Sequence, residues 1–213
     1  MTEAAKESYE KLFKMLDLCQ QRNLIAPDAR WSVACGELAI HPYRERILDM
    51  VRDKRVTFHS NCFKFDDRIA EHLSRDPESV LSFSIDAGTP EAWINVKGFD
   101  NYETAVTHLK KYAAHCIYPN QIWLKYILLP GVNDTQKDFE NVVSLMNQLG
   151  ITALTISRDL DSHAESFPEE KAAAAKLMAM CFQSGINTSS GLLFPQDEKL
   201  EIKSMAWELL QNK

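Results

Sequence analysis

Several polar residues that could bind a ligand follow short apolar runs along this chain. Alternation in IWLKYILL places Trp123, Lys125 and Ile127 on one face of a predicted strand. A lysine on an inward face needs an anionic partner. Helix capping accounts for about half of the Ser, Asn and Asp residues found in such loops. The full set of candidates is Cys35, Gly36 and Glu37; Ser60, Asn61 and Cys62; Ser84 and Asp86; Lys125; and Ser157, Arg158 and Asp159.

These candidates lie where strands are predicted to end. Runs rich in β-formers occur at 30–36, 55–60, 80–86, 122–129 and 151–157, with a weaker strand candidate at 186–194. Segments of helical period separate them, at 3–22, 43–52, 66–73, 89–96, 101–114, 135–149, 168–184 and 196–211. Strands joined by helices form right-handed βαβ units and lie parallel. We therefore predict an α/β fold whose ligands bind at the carboxyl ends of the strands.

Length and charge narrow the class of protein. The chain has 213 residues, 45% of them apolar, and a formal net charge of −6, which predicts a single domain over 1–213 and no nucleic-acid partner. It lacks the apolar run of about 20 residues that crosses a membrane, and its first residues are charged. We therefore expect a cytoplasmic protein with no membrane partner. Within it we expect a core at 30–157 and a C-terminal α/β extension at 158–213.

The cysteines give no sign of a metal centre or of a disulfide framework. There are five, and no two lie within four residues of each other, so the close spacings that hold zinc or iron–sulfur clusters are absent. An odd and sparse set also argues against disulfides. The cysteines are Cys19, Cys35, Cys62, Cys116 and Cys181.

Four stretches resemble, in order, motifs of the radical SAM enzymes. ACGELAIHPYRERILDMV is similar to their Gly-Gly-Glu strand end, SNC to their Thr-Asn-Gly, and SFSIDAGTPEAWINVKG to their Ser-x-Asp-Ala-Gly-Thr-Pro-Glu signature. LKYILLPGVNDTQKDF is similar to the fifth strand and Gly-x-Asn-Asp turn of members that often carry an extra cluster domain. The resemblance covers residues 30–157. It implies a partial (β/α) barrel with S-adenosylmethionine lying across the strand ends.

The resemblance also implies roles for the candidate residues. Gly36 and Glu37 would face the methionine amino group of S-adenosylmethionine, and Lys125 would pair with its carboxylate. The substrate is unknown, and the loops after residues 157 and 185 would select it. Ser84 and Asp86 would face the ribose hydroxyls or the methionyl end of the cofactor. Asn61 and Ser157 would line the rim of the pocket.

The chain departs from the family pattern in two places. It lacks the first strand and the Cys-x3-Cys-x2-Cys loop, whose thiolates hold the family's iron–sulfur cluster. Cys35 replaces the first glycine of Gly-Gly-Glu, where a side chain crowds the backbone, and Leu38 replaces the usual proline. Reductive cleavage of the sulfonium needs an electron from the cluster. We therefore predict that this chain binds no cluster and forms no 5′-deoxyadenosyl radical.

The missing strand has consequences for origin and assembly. The chain would be a fragment with an artificial start at Met1, a native truncation, or a degenerate relative that binds without catalysis; we favour the first. A sheet that begins in mid-fold exposes one edge, which proteins usually cover. We expect the last helix or a homodimer to cover it.

Two other functions are alternatives. One is a non-catalytic binding or scaffold protein on a truncated barrel. The other is a metal-dependent hydrolase on an α/β barrel, because His59 and His163 fall near strand ends together with Asp86 and Asp159. Alternation along the strand, however, turns His59 toward the helices.

Overall fold

The computed structural model describes residues 2–159, 167–191 and 194–211 of the chain. Strands and helices alternate throughout. The strands are β1 (Arg30–Val33), β2 (Arg55–Ser60), β3 (Val80–Ser84), β4 (Ile122–Leu128), β5 (Ala153–Arg158) and β6 (Asn187–Ser190). The helices are α1 (Glu3–Gln21), α2 (Arg44–Met50), α3 (Asp67–Arg75), α4 (Pro90–Lys97), α5 (Tyr102–His115), α6 (Gln136–Leu149), α7 (Pro168–Gln183) and α8 (Gln196–Gln211). None of these helices is long and apolar enough to cross a membrane.

The six strands form one parallel sheet in sequence order, β1-β2-β3-β4-β5-β6. Every connection between neighbouring strands carries at least one helix, as parallel pairing requires. This order is typical of an arc of a (β/α) barrel. In the described ranges β1 and β6 each pair on one side only, so the arc is not closed. The predicted α/β fold, an open partial barrel of parallel strands, is confirmed.

The predicted elements are all present, and one boundary differs in an informative way. The prediction extended the first strand to residue 36, but β1 ends at Val33. Gly36 adopts a left-handed φ of 81°, which extended backbone does not use, so the chain turns out of the sheet there. The weak strand candidate at 186–194 forms β6 and pairs with β5. Residues beyond 158 therefore extend the same sheet.

The two faces of the sheet differ in composition. On the face that we call the outer face, Phe58, Leu81 and Ile122 are in register and at most 1% exposed. Helices cover this face, for example where the Phe58 ring meets that of His72 in α3 at 5.2 Å. The opposite, inner face is mainly polar and only partly covered. It carries Ser32, Thr57, His59, Ser82, Ser84, Trp123, Lys125, Ile127, Thr155 and Ser189.

Helix α1 packs beside the edge strand β1. Its Phe13 is 2% exposed and contacts the Tyr43 ring at 5.3 Å, while the Arg46 guanidinium lies 4.0 Å from the Phe13 ring centre. A cleft of about 310 Å³ remains between α1 and β1, lined by apolar side chains that include Leu12 and Trp31. Within the described residues, the backbone edge of β1 is flanked by a helix but not paired with a strand.

Candidate functional site

Glu37 lies just beyond the end of β1 and is held by the neighbouring strand. The Ser60 hydroxyl donates to the Glu37 Oε1 at 2.9 Å and lies 3.0 Å from Oε2. The backbone amide of Asn61 donates to Oε2 at 2.9 Å. Burial raises the pKa of Glu37, an effect that these hydrogen bonds oppose. Gly36 precedes it with open space where a Cβ would be. The carboxylate is therefore fixed in direction beside an open backbone turn.

Two cysteines near Glu37 do not form a thiolate site. Cys62 is fully buried, and burial raises the pKa of its thiol far above the usual range. Burial also raises the pKa of the half-buried Cys35 thiol. No three His, Cys, Asp or Glu residues come together as a metal site in the described parts of the chain. The residues present do not fit an iron–sulfur cluster, which needs several exposed thiolates at one place.

Asp86 follows β3, but its carboxylate is already occupied by partners within the protein. The residue is 1% exposed. The Lys97 ammonium donates to its Oδ2 at 2.6 Å, and the Ile127 amide donates to its Oδ1 at 2.7 Å. Asp86 also has a left-handed φ of 44°, a strained conformation for a residue with a side chain. These contacts stabilise the loop after β3, and they leave neither oxygen of the Asp86 carboxylate open to a ligand.

The Gly-x-Asn-Asp turn packs directly against this loop. Asn133, which is fully buried, donates to the carbonyls of Asp86 at 2.8 Å and Ile127 at 2.7 Å, and its Oδ1 accepts from the Leu129 amide at 2.8 Å. All of the strong contacts of this side chain thus go to backbone groups. Asn133 therefore ties the loop after β3 to the loop after β4.

A second contact closes the same arrangement. The Asp138 carboxylate accepts from the Gly88 amide at 3.1 Å and from the Thr89 hydroxyl at 2.8 Å. A Cβ at Gly88 would lie 1.9 Å from the Asp138 carbonyl oxygen, so only glycine fits. We call Asp86, Gly88, Lys97, Asn133 and Asp138 the loop junction. Two of the stretches that carry the family resemblance meet in it.

Ser84 and Lys125 lie side by side on the inner face. Strand register pairs Ser84 with Lys125, and Lys125 with Thr155. Both Ser84 and Lys125 are half-buried. In the described ranges the Lys125 ammonium forms no ion pair and no hydrogen bond. The structure thus confirms the predicted face for Lys125 and leaves its positive charge available to a ligand.

The remaining predicted residues, Asn61 and Ser157, have unequal access. Asn61 is half-buried at the end of β2, where its amide holds Glu37. Ser157 is only 2% exposed, and a Cβ at Gly191 would come within 2.9 Å of its hydroxyl. Its hydroxyl donates to the Arg158 carbonyl at 3.3 Å. The structure therefore brings Gly36, Glu37 and Asn61 together, places Ser84 with Lys125, and buries Asp86 and Ser157.

One orientation was predicted wrongly. His59 does not point toward the helices, because its register partner is Ser82 and its Nε2 lies 3.2 Å from the Ser32 hydroxyl on the inner face. Burial lowers the pKa of His59, and the charge of Lys125 lowers it further. The second histidine of the hydrolase alternative, His163, lies outside the described residues.

Sequence reasoning missed two features of the site. It did not identify Lys97 as the partner of Asp86, and their separation of eleven residues across a loop gives no periodic signal. It also missed the row of polar residues on the inner face. Alternation in RVTFHS and VLSFS, which places His59 and Ser82 on the side opposite to the phenylalanines, would have shown it.

The sequence and the structure were both compared with those of known proteins. No family model matches the sequence, and no curated protein matches it. Among solved structures, a domain of pyruvate-formate lyase-activating enzyme from Bacteroides vulgatus has a TM-score of 0.59 at 14% identity, over 75% of this chain and 97% of that one. The chain has the radical SAM fold.

Two longer structures with this fold contain the cofactor. Streptococcus suis SuiB bound to S-adenosylmethionine has a TM-score of 0.52 at 12% identity, over 77% of this chain and 40% of SuiB. The enzyme anSMEcpe with bound AdoMet and a peptide has a TM-score of 0.53 at 14% identity, over 75% of this chain and 50% of that one. This chain therefore spans half or less of the length of these two radical SAM proteins.

Proposed function

We propose that this chain is a radical-SAM-type domain that binds S-adenosylmethionine across the carboxyl ends of β1 to β3. The observation that carries the proposal is the directed carboxylate of Glu37. Ser60 and Asn61 orient it, and the open turn at Gly36 adjoins it. A carboxylate held in this way suits an ammonium group, because a charge-assisted hydrogen bond is stronger than a neutral one. The methionine amino group of the cofactor has that charge.

The rest of the proposed cofactor site follows from accessibility. Ser84, half-buried at the end of β3, would donate to a ribose hydroxyl, and the Asn61 side chain would line the rim. Asp86 would act by positioning the loop after β3, since Lys97 and Ile127 already hold its carboxylate. We leave Ser157 out of the contacts because Gly191 packs against it.

Lys125 supplies the charge that a carboxylate needs. The resemblance assigns it to the methionine carboxylate. Strands β1 and β4 are separated by two others, which is about 14 Å at ~4.8 Å per strand. An amino-acid end held at Glu37 would therefore have to reach well across the sheet to meet Lys125. The Lys125 ammonium could instead bind an anionic ligand on the inner face of the sheet.

Radical chemistry would need an iron–sulfur cluster bound by residues other than those described. When bound, such a cluster supplies the electron that cleaves the sulfonium. The buried thiol of Cys62 and the scattered cysteines give it no site. This observation favours a second candidate function, a non-catalytic cofactor-binding or scaffold protein. Anaerobic reconstitution with iron and sulfide distinguishes the two: we expect no stoichiometric iron, and a full complement with charge-transfer absorbance would refute this expectation.

Titration calorimetry, or ligand-observed NMR for weak binding, tests the cofactor proposal. We expect the full chain to bind S-adenosylmethionine at about millimolar affinity, and Glu37→Gln to weaken binding about tenfold. Glu140→Gln, which changes an exposed carboxylate on α6, is the matched control. Equal binding by the wild type and Glu37→Gln would show that the end of β1 is not the cofactor site.

We also propose a homodimer that covers β1. The free edge of β1 and the apolar cleft beside it, with Leu12 41% exposed, support this arrangement. Light scattering on a size-exclusion column would detect it. We expect Leu12→Glu to shift the molar mass toward the monomer, and a wild-type monomer at all concentrations would contradict the proposal.

A further inference from the structure

The inner face carries an ordered set of ligand-binding groups beneath the carboxyl ends of the strands. Ser84, Lys125 and Thr155 form an upper row across three strands. His59, Ser82 and Trp123 form a lower row in register with one another. The rows are about 7 Å apart, because they are separated by two residues along each strand.

Trp123 is the unusual member of the lower row. It is 44% exposed on a face that otherwise carries mainly polar side chains. Its indole Nε1 donates to the Asn120 carbonyl at 3.0 Å, which fixes the ring in place. A large ring that is exposed and held in this way presents a flat apolar surface, and such surfaces bind planar groups by stacking.

The charge above this ring is positive. Lys125 lies two residues beyond Trp123 on the same side of β4, and in the described ranges it has no acidic partner. The groups that face His59 are Ser32 from β1, Ser82 from β3 and Lys125 from β4, none of them acidic. The nearby Asp86 does not neutralise this charge, because Lys97 pairs with it. A half-buried ammonium without a counter-ion favours an anionic ligand.

We propose that the inner face binds a substrate whose carboxylate meets Lys125 and Ser84 and whose planar apolar group lies on Trp123 beside His59. This inference rests on the proposed function, because a cofactor held at the end of β1 leaves the inner face free for a second ligand. Ser82 and Ser84 would donate hydrogen bonds, and the imidazole of His59 would contact the ligand through Nδ1, since its Nε2 already meets Ser32.

The test is a titration of the full chain with phenylacetate, followed by NMR of both probe and protein. Phenylacetamide lacks the charge of this probe, and acetate lacks its ring. We expect phenylacetate to bind about tenfold more tightly than either, as a charge-assisted contact predicts. Equal binding of phenylacetate and phenylacetamide would overturn the proposal.

Matched variants locate the site. Lys125→Met and Trp123→Ala should each weaken phenylacetate binding at least about fivefold. Lys110→Met and Trp207→Ala, which alter an exposed lysine of α5 and a 51% exposed tryptophan of α8, should leave it unchanged. Circular dichroism would check that all four variants are folded. An unchanged affinity in Lys125→Met would also overturn the inference.

A competition experiment separates this inference from the cofactor proposal. Phenylacetate and S-adenosylmethionine should bind together, with Glu37→Gln weakening only the second. Mutual exclusion at Lys125 would assign that lysine to the cofactor carboxylate and refute the inference while leaving the proposed function standing. Binding of phenylacetate without any binding of S-adenosylmethionine would refute the proposed function and support the inner-face site.

Discussion

The loop junction and the inner face lie within a few residues of each other on β3 and β4, yet they use charge in opposite ways. In the junction, Asp86 is 1% exposed and each of its oxygens has a donor at 2.7 Å or less. On the inner face, the half-buried Lys125 has no acidic partner in the described ranges. Buried groups with every bond made stabilise a fold, whereas partly exposed groups with bonds unmade are available to ligands.

The residues that resemble the family pattern have different roles in this structure. The Asp-Ala-Gly-Thr-Pro and Gly-x-Asn-Asp segments are among those that most resemble the radical SAM pattern, and the structure uses them to join two loops. Of the inner-face residues, His59 and Trp123 lie outside the resembling stretches, whereas Ser82, Ser84 and Lys125 lie within them. The stretches that resemble the family therefore supply both the loop junction and part of the inner face.

The largest expected effect comes from breaking the junction at Asp86. Asp86→Ala removes the partner of Lys97, whose side chain is only 14% exposed, and should lower the free energy of unfolding by about 3–5 kcal/mol. Urea denaturation measures it, with the exposed Asp100→Ala as control. A loss below about 1 kcal/mol together with abolished cofactor binding would instead make Asp86 a ligand contact.

Gly88→Ala should follow, at about 3 kcal/mol of destabilisation. The added Cβ would lie 1.9 Å from the Asp138 carbonyl oxygen, so the two loops would have to move apart. Gly36→Ala is the matched comparison, since there the Cβ meets open space and the left-handed φ alone costs about 1 kcal/mol. Equal denaturation midpoints for the two variants would mean that the close approach at Gly88 is relaxed without cost.

A smaller effect on stability is expected from two buried or half-buried histidines when the pH is lowered. Burial lowers the pKa of both His72, which is 4% exposed, and the half-buried His59. In the unfolded chain a histidine takes up its proton near pH 6.5, so the unfolded state binds more protons below that pH. The free energy of unfolding should therefore fall as the pH drops from 7 to 5, and the loss should be larger for His72 than for His59.

Thermal or urea denaturation across this pH range would measure the effect. His72→Gln should reduce the loss of stability at low pH more than His59→Gln does. The reason is that the His72 Nε2 lies 3.0 Å from the Lys54 carbonyl and 3.1 Å from the Ser79 hydroxyl. The exposed His115→Gln is the control. A profile unchanged in His72→Gln would place the acid sensitivity elsewhere.

The smallest effect on stability is expected at Lys125. Lys125→Met removes a charge that has no partner among the described residues, so the free energy of unfolding should stay within about 0.5 kcal/mol of the wild type. Lys97→Met, which strips the partner from buried Asp86, should cost several times more. Chemical denaturation of both variants compares the two lysines directly, and a loss above 2 kcal/mol in Lys125→Met would reveal a structural partner for that residue.

Much of the fold could be predicted because it depends on local patterns. The helix at 135–149 was predicted from its period, and α6 ends at Leu149, with Gly150 as its C-cap at a φ of 67°. Alternation placed Lys125 on one face of β4 together with Trp123 and Ile127, as the register confirms. Parallel pairing followed from strands separated by helices.

The α/β class, the order of the elements and the inward position of Lys125 follow from the amino-acid sequence alone, since each depends on residues close together in the chain. Which polar side chains have all their hydrogen bonds made depends instead on contacts between distant parts of the chain. The pairing of Asp86 with Lys97, the packing of Gly191 against Ser157 and the contact between His59 and Ser32 join different strands and loops. Periodicity does not report such contacts, because they depend on how the sheet and its loops pack in three dimensions.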